Sequence, residues 1–148
     1  MREMEISETE KLNLAIIHGS KGYEEWSHQN DLTNYLSVIL YELIIRDKLT
    51  QKDLVEVTGM PKQSINKGIH YLKENGYLEL MTDPEDKRTK FCKLTDRGMK
   101  YARTKMASLF KIEEKTAQKL GAKKMRLLTE LNEEWSNTFW QYLKEGSD

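Results

Sequence analysis

A mainly α chain carrying one small β-hairpin is the fold class this sequence predicts, and three observations carry it. Through most of the chain, apolar residues recur at steps of three and four, the spacing of one helix face. Only after Gly76, across residues 77–95, does the pattern shorten to two strand-like runs around a polar turn. There are two prolines, Pro61 and Pro84, and no Gly/Ser linker, low-complexity stretch or internal repeat, so one domain over 1–148 is expected. A chain of 148 residues buries roughly 70% of the surface its unfolded form exposes, enough for a real core.

The first helix follows from Leu12, Ile16, Gly19, Tyr23 and Trp26. A second, about Leu32 to Arg46, carries Tyr35, Leu36, Ile39, Leu40, Leu43 and Ile44, a stripe wide enough for a buried core helix, and Leu49 closes the gap after it. Thr50 is placed to cap a short helix, Gln51 to Val57, with Asp53 completing a variant capping box. Thr58 and Gly59 end that helix, and Pro61 opens the next in the first turn, where its missing N–H does no harm. The next helix, Pro61 to Asn75, packs through Ile65, Ile69 and Leu72 and stops at a left-handed Gly76. Two helices joined by a short glycine-containing turn make a helix-turn-helix.

Strands over Tyr77–Thr82 and Thr89–Thr95 flank the turn Asp83, Pro84, Glu85, Asp86, Lys87, Arg88. Thr95 can cap a long helix through Met99, Ala102, Met106, Leu109, Phe110 and Ile112 that ends near Gly121. The last helix shows Leu120, Leu127, Leu128, Leu131, Trp135, Phe139, Tyr142 and Leu143, a heptad-like seam too large for an edge helix left in water.

Composition narrows the function. The charged fraction of 32%, 9% aromatics and net charge of +0 fit a folded globular protein. A single cysteine, Cys92, forms no internal disulfide, and with His18, His28 and His70 on different helices it builds no four-ligand zinc site. Neither a metal nor a cofactor is expected. Residues 1–5 lack a basic stretch leading into an apolar run, and no window approaches about 18 apolar residues, so the expectation is a cytoplasmic protein that does not enter a membrane. Without a glycine-rich phosphate loop, a nucleophile and base at recognisable spacing or a metal cluster, an enzyme is not expected either.

The neutral total hides a segregated chain. Residues 1–31 hold seven acidic and three basic residues and residues 129–148 hold five and one, which leaves twenty basic against twelve acidic in residues 32–128. Lys87, Arg88, Lys90, Lys93, Arg97, Lys100, Arg103 and Lys105 form the densest run, opposed by Asp96 alone. Such an excess attracts a polyanion over a Debye length of about 8–10 Å, though a solvated lysine-rich face with no partner remains open until a fold gathers these residues.

Helix-turn-helix, basic hairpin and terminal helices together describe a winged helix-turn-helix with extra helices at both ends. Lys48 to Leu54, Gly59 to Lys67, Leu72 to Tyr77, Asp83 to Arg88 and Leu94-Thr95-Asp96-Arg97-Gly98 closely resemble the MarR family of bacterial transcriptional regulators over about residues 32–143. The Asp-x-Arg of Asp86 and Arg88, followed by the Leu-Thr-x-x-Gly run, is the most specific part. The resemblance implies a homodimer that reads a pseudo-palindromic operator, most often as a repressor. It assigns about 32–98 to the DNA-binding lobe and about 6–28 and 99–145 to dimerisation helices.

A major groove about 12 Å wide admits one helix, so the exposed face of Pro61 to Asn75 is the candidate reader. Gln63, Ser64, Asn66 and Lys67 lie off its core stripe; Gln and Asn can pair bidentately with adenine, and Lys can contact guanine. Lys62 and Lys73 suit phosphates better than bases, and His70 either packs or lies near phosphate. On the hairpin, Arg88 resembles the family's wing arginine, Asp86 would hold its guanidinium fork, and Lys87 and Lys90 would face the minor groove or phosphates. Polar residues on a merely solvated helix, and a merely structural turn, are the competing readings.

Three departures from the family pattern stand out: Pro61 where a small hydroxyl residue is usual, Lys67 where arginine is frequent, and Cys92 far from the family's N-terminal peroxide-sensing cysteine. Cys92 is expected as a small, half-buried strand residue. Family members often bind small phenolic or anionic effectors, and Tyr23, Trp26, His28, Tyr35 and Tyr41 could line such a cleft, although aromatics at helical spacing are more often plain core. Leu12, Ile16, Leu127, Leu131, Trp135, Phe139 and Tyr142 are the expected dimer interface. A winged-helix adaptor for a protein partner, or a replication or partition factor, is the alternative class.

Overall fold

The computed structural model describes residues 7–146 and is mostly helical with one small antiparallel sheet. Helix α1 (Glu8–Gln29) starts at Ser7, whose hydroxyl accepts the Glu10 N–H, a turn before the apolar face begins at Leu12. A polar cap rather than the apolar stripe sets that start. Position 6, where the first dimerisation helix was expected to begin, lies outside the described residues.

Helix α2 (Asn34–Ile45) begins two residues later than expected because Thr33 caps it, its hydroxyl accepting the Leu36 N–H at 3.3 Å. Leu32 instead fills a buried place in the connecting turn, beside Asp31 at φ 55°. A strand the apolar pattern does not reveal follows: β1 (Leu49–Thr50), two residues long. Thr50 then caps α3 (Gln51–Thr58) in the expected box, its hydroxyl accepting the Asp53 N–H and the Asp53 carboxylate accepting the Thr50 N–H, both at 3.0 Å.

Gly59 at φ 68° turns the chain into α4 (Lys62–Glu74). Pro61 sits one residue outside the helix, as its cap, and Asn75 falls beyond its end. That end closes as a Schellman motif, with the Tyr77 N–H donating to the Leu72 carbonyl at 2.8 Å and the Gly76 N–H to Lys73 at 3.1 Å around a left-handed Gly76. Helix α4 approaches α2 closely at Gly68, where a Cβ would run into the Ile39 side chain and lie 3.3 Å from Tyr35.

Strands β2 (Leu78–Thr82) and β3 (Lys90–Leu94) form the hairpin, shorter than expected by Tyr77 and Thr95 at its open end and by Thr89 at the turn. Leu78 faces Leu94 and Thr82 faces Lys90, and the sheet order β1-β3-β2 puts β3 in the centre. Cys92, paired with Leu49 and Leu80, is therefore 1% exposed rather than half-buried. Thr95 caps α5 (Asp96–Leu120), accepting the Gly98 N–H at 3.0 Å and donating to the Gly76 carbonyl at 2.8 Å. Gly121 at φ 89° leads into α6 (Ala122–Glu145).

The chain divides into two compact units, with the break between Ala107 and Ser108. In the first, Ile39, Leu40 and Leu43 of α2, Leu54 of α3, Ile65 and Leu72 of α4 and Ala102 and Met106 of α5 are fully buried. Each large aliphatic group among them contributes roughly 1.5–3 kcal/mol over its exposed state. The hydroxyls of Ser27 and Ser37 share this interior, bonded to each other at 2.8 Å and to the Tyr23 and Thr33 carbonyls. In the second unit, α6 has no buried residue. Among the described residues no helix is long and apolar enough to cross a membrane, and no group of three His, Cys, Asp or Glu could hold a metal.

Candidate nucleic-acid interface

The period of α4 sorts its residues cleanly. Ile65, Gly68, Ile69 and Leu72 are buried, which turns Lys62, Gln63, Asn66, Lys67, His70 and Lys73 outward and leaves Ser64 half-buried. No side chain caps the helix at Pro61, so its first N–H groups, and with them the positive end of the helix dipole, keep their hydrogen-bonding capacity. A carboxylate is missing from the first turn as well. This end of α4 therefore favours an anion.

Between α4 and the first hairpin strand runs an open groove of about 480 Å³, lined by Asn66, Lys67, Ile69, His70, Lys73 and Leu80. Four of these are sequence-predicted reader residues; Ile69 and Leu80 supply an apolar floor. His70 Nε2 lies 2.9 Å from Glu74 Oε1 one turn on, a pairing whose four-residue spacing was visible in the sequence.

At the hairpin tip the carboxylates build the turn. Asp83 accepts the Glu85 N–H at 2.9 Å, and Asp86 accepts the Arg88 N–H at 3.0 Å and the Thr89 hydroxyl at 2.9 Å. In this geometry Asp86, the expected wing-stabilising residue, holds the backbone of Arg88 rather than its guanidinium fork. Lys87, Arg88 and Lys90 are exposed around it.

The fold spreads the cationic run. Lys93 pairs with Asp47 at 3.5 Å, Arg97 lies over the Tyr77 ring at 5.2 Å and Lys105 over Tyr101 at 5.9 Å. Tyr77 and Tyr101 stack at 4.0 Å and 9°, and Tyr71 of α4 hydrogen-bonds Tyr101. Burial, then that hydrogen bond and the neighbouring tyrosines, push the Tyr101 phenol up to about 12. This cluster ties the end of α4 to the start of α5. Three tyrosines so far apart in the chain give no periodic signal, so the sequence did not announce it. Burial alone pushes the Cys92 thiol up to about 11, which makes it an unreactive group.

A model of the MarR family matches residues 24–89, which contain the helix-turn-helix, β2 and the hairpin turn just described. Over these residues the chain is similar to the MarR family. A comparison with the curated proteins finds no match. Among solved structures, NMB1585, a MarR family regulator from Neisseria meningitidis, is 23% identical over 95% of this chain and 99% of its own, with a TM-score of 0.83. NadR in complex with 4-hydroxyphenylacetate gives 21% identity over 91% and 96%, with a TM-score of 0.74. BpsR of Bordetella bronchiseptica, whose DNA binding is regulated by 6-hydroxynicotinic acid, gives 19% over 92% and 97%, with a TM-score of 0.66. At these identities the agreement is one of fold, and it covers nearly the whole chain.

The other expected residues fall in different settings. Of the aromatic set, Trp26 is core at 6% exposure, Tyr35 packs at Gly68, Tyr41 is half-buried and Tyr23 and His28 are exposed. None of them lines the α4 groove or the second groove, which Leu128, Thr129, Asn132, Glu133 and Ser136 form on α6. Leu12 is half-buried, while Ile16, Leu127, Leu131, Trp135, Phe139 and Tyr142 are exposed in the single chain.

Proposed function

We propose that this chain is a homodimeric, sequence-specific regulator of transcription that binds double-stranded DNA at a pseudo-palindromic operator, acting as a cytoplasmic repressor rather than an enzyme. The observation that carries the reading is the outward face of α4, with Gln63, Asn66 and Lys67 beside an uncapped helix start and a groove rimmed by Lys67 and Lys73. Amide side chains offer paired donors and acceptors to base edges, and the lysines neutralise phosphates on either side. Lys62, Ser64 and His70 extend that contact along α4, and Lys87, Arg88 and Lys90 extend it from the hairpin.

Residues 1–148 then act as a single MarR-like domain. About 32–98 meet DNA, and about 6–28 and 99–145 pair with a second copy through Leu12, Ile16, Leu127, Leu131, Trp135, Phe139 and Tyr142. The complexes of NadR with 4-hydroxyphenylacetate and the control of BpsR by 6-hydroxynicotinic acid support a small phenolic or anionic effector for this chain too, with Tyr23, Trp26, Tyr35 and Tyr41 as its candidate contacts.

Selection of bound sequences from a random duplex pool tests the proposal. A two-fold symmetric consensus with half-sites about 34–36 Å apart is expected, and its affinity should fall steeply with salt as counterions are released. Flat salt dependence, or no enrichment with co-purification of a protein partner instead, sinks it.

A further inference from the structure

The geometry of the α4–β2 groove points to a proton-linked site for one DNA backbone phosphate, in which His70 binds as imidazolium and Glu74 opposes the phosphate whenever that ring is neutral. The inference rests on the proposed DNA binding and adds to it a dependence on pH. His70 Nε2 stands 2.9 Å from Glu74 Oε1, and both side chains are largely exposed, at 72% and 64%. His70 also lines the groove between Lys67 and Lys73. The charged groups that line the groove with it are Lys67 and Lys73, and Glu74 pairs with it from one turn on, all on α4. Strand β2 adds the uncharged Leu80, and α2 and α3 add nothing to the lining; α2 brings its titratable Tyr35 to Gly68 instead.

A phosphate drawn in by the two lysines meets the Glu74 carboxylate as a like charge. A proton on His70 cancels that charge and supplies an N–H donor to the phosphate oxygen. The complex therefore holds more protons than the free chain, and affinity must rise as pH falls, by at most about tenfold per protomer per pH unit for one linked proton.

Calorimetric titration of the full chain with its selected operator, in buffers of different ionisation enthalpy at about pH 6, 7 and 8, tests this. Wild type is expected to take up protons on binding and to lose about three- to tenfold in affinity per protomer across that range. H70Q should lose both effects, and E74Q should bind more tightly than wild type at the alkaline end. Wild-type proton uptake retained in H70Q, or weaker binding by E74Q, overturns the inference. Equal proton uptake with inorganic sulfate alone, an anion that does not itself titrate between about pH 6 and 8, assigns the groove to a free anion and overturns the DNA-backbone site. A wild-type chain that binds no duplex at any pH overturns the DNA reading itself, and this inference falls with it.

Discussion

Helices α4 and α6 are written in the same code and meet opposite fates. Both carry an apolar stripe at helical spacing, yet Ile65 and Leu72 of α4 are 0% exposed while Leu131 and Phe139 of α6 are 55% and 58% exposed. On α4 the stripe is used inside the chain, so what remains is the polar face, and its chemistry suits a ligand rich in acceptors. On α6 the polar face is the ordinary one and the stripe is what remains. Contiguous apolar residues of this size, Trp135 among them, are costly to leave in water and are of the kind that usually marks a protein contact. An amphipathic helix is thus read functionally by whichever face the fold has not used.

The largest expected effect attacks the α6 half of that contrast. Replacing Trp135 and Phe139 together by glutamate puts two charges into the stripe and should convert the proposed dimer to a monomer at micromolar concentration, a loss of roughly 3 kcal/mol or more, while the lobe keeps its helix content. Sedimentation of wild type and variant decides; identical oligomeric states would break the reading of α6.

Two glycines on the α4 side sharpen the same contrast from within the core. A Cβ at Gly98 would collide with the Tyr77 carbonyl, which is backbone and cannot swing away, whereas at Gly68 it meets the tip of Ile39, a side chain that can. Gly98→Ala should therefore cost about 3 kcal/mol or more in urea unfolding, and Gly68→Ala about 1–2 kcal/mol. The reverse order would mean that the start of α5 is looser than its Thr95 cap implies.

Next come single contacts on the outward face. Arg88→Ala and Lys67→Ala should each weaken operator binding about five- to thirtyfold with the melting curve unchanged, because both side chains are exposed and neither is tied into the fold by an ion pair among the described residues. Lys67 should also relax base preference at one position if it reaches a base, and otherwise reduce the salt slope by about one. Normal binding by both variants would remove the face from consideration.

Much of this was legible because local rules and tertiary packing agree. Thr50 and Asp53 announce a capping box from spacing alone, and the turn at Gly76 follows from a glycine at the end of an apolar stripe. Where the reading missed, long-range contact decided. Strand β1 exists only because Leu49 and Thr50 meet Cys92 and Phe91 some forty residues on, and that contact turns a half-buried strand residue into a central one. Leu32 looked like the first residue of α2 because it is apolar, but the hydroxyl at Thr33 outbids it for the helix start. The proposed reader residues showed themselves as polar gaps in a stripe. Their groove did not, since Leu80 enters it from a different element.

The smallest effects separate cap from core. Thr50→Ala removes a hydroxyl that accepts one N–H and should cost about 1 kcal/mol. At neutral pH the Cys92 thiol is neutral folded or unfolded, so pH should not touch stability there. Its folded value lies near 11 against 9.0 for an ordinary thiol, so above pH 9 the unfolded chain releases a proton that the folded chain keeps, and stability falls as pH rises toward 11. Tyr101, raised from 10.0 to about 12, extends that fall. Urea midpoints against pH for wild type and Cys92→Ala would resolve the two. The variant's midpoint starts lower because a small cavity opens, but it should decline less between about pH 9 and 10, before the tyrosine contributes. Parallel declines would mean that β3 opens to solvent, and that β1 does not cover its centre as the register Leu49 to Cys92 requires.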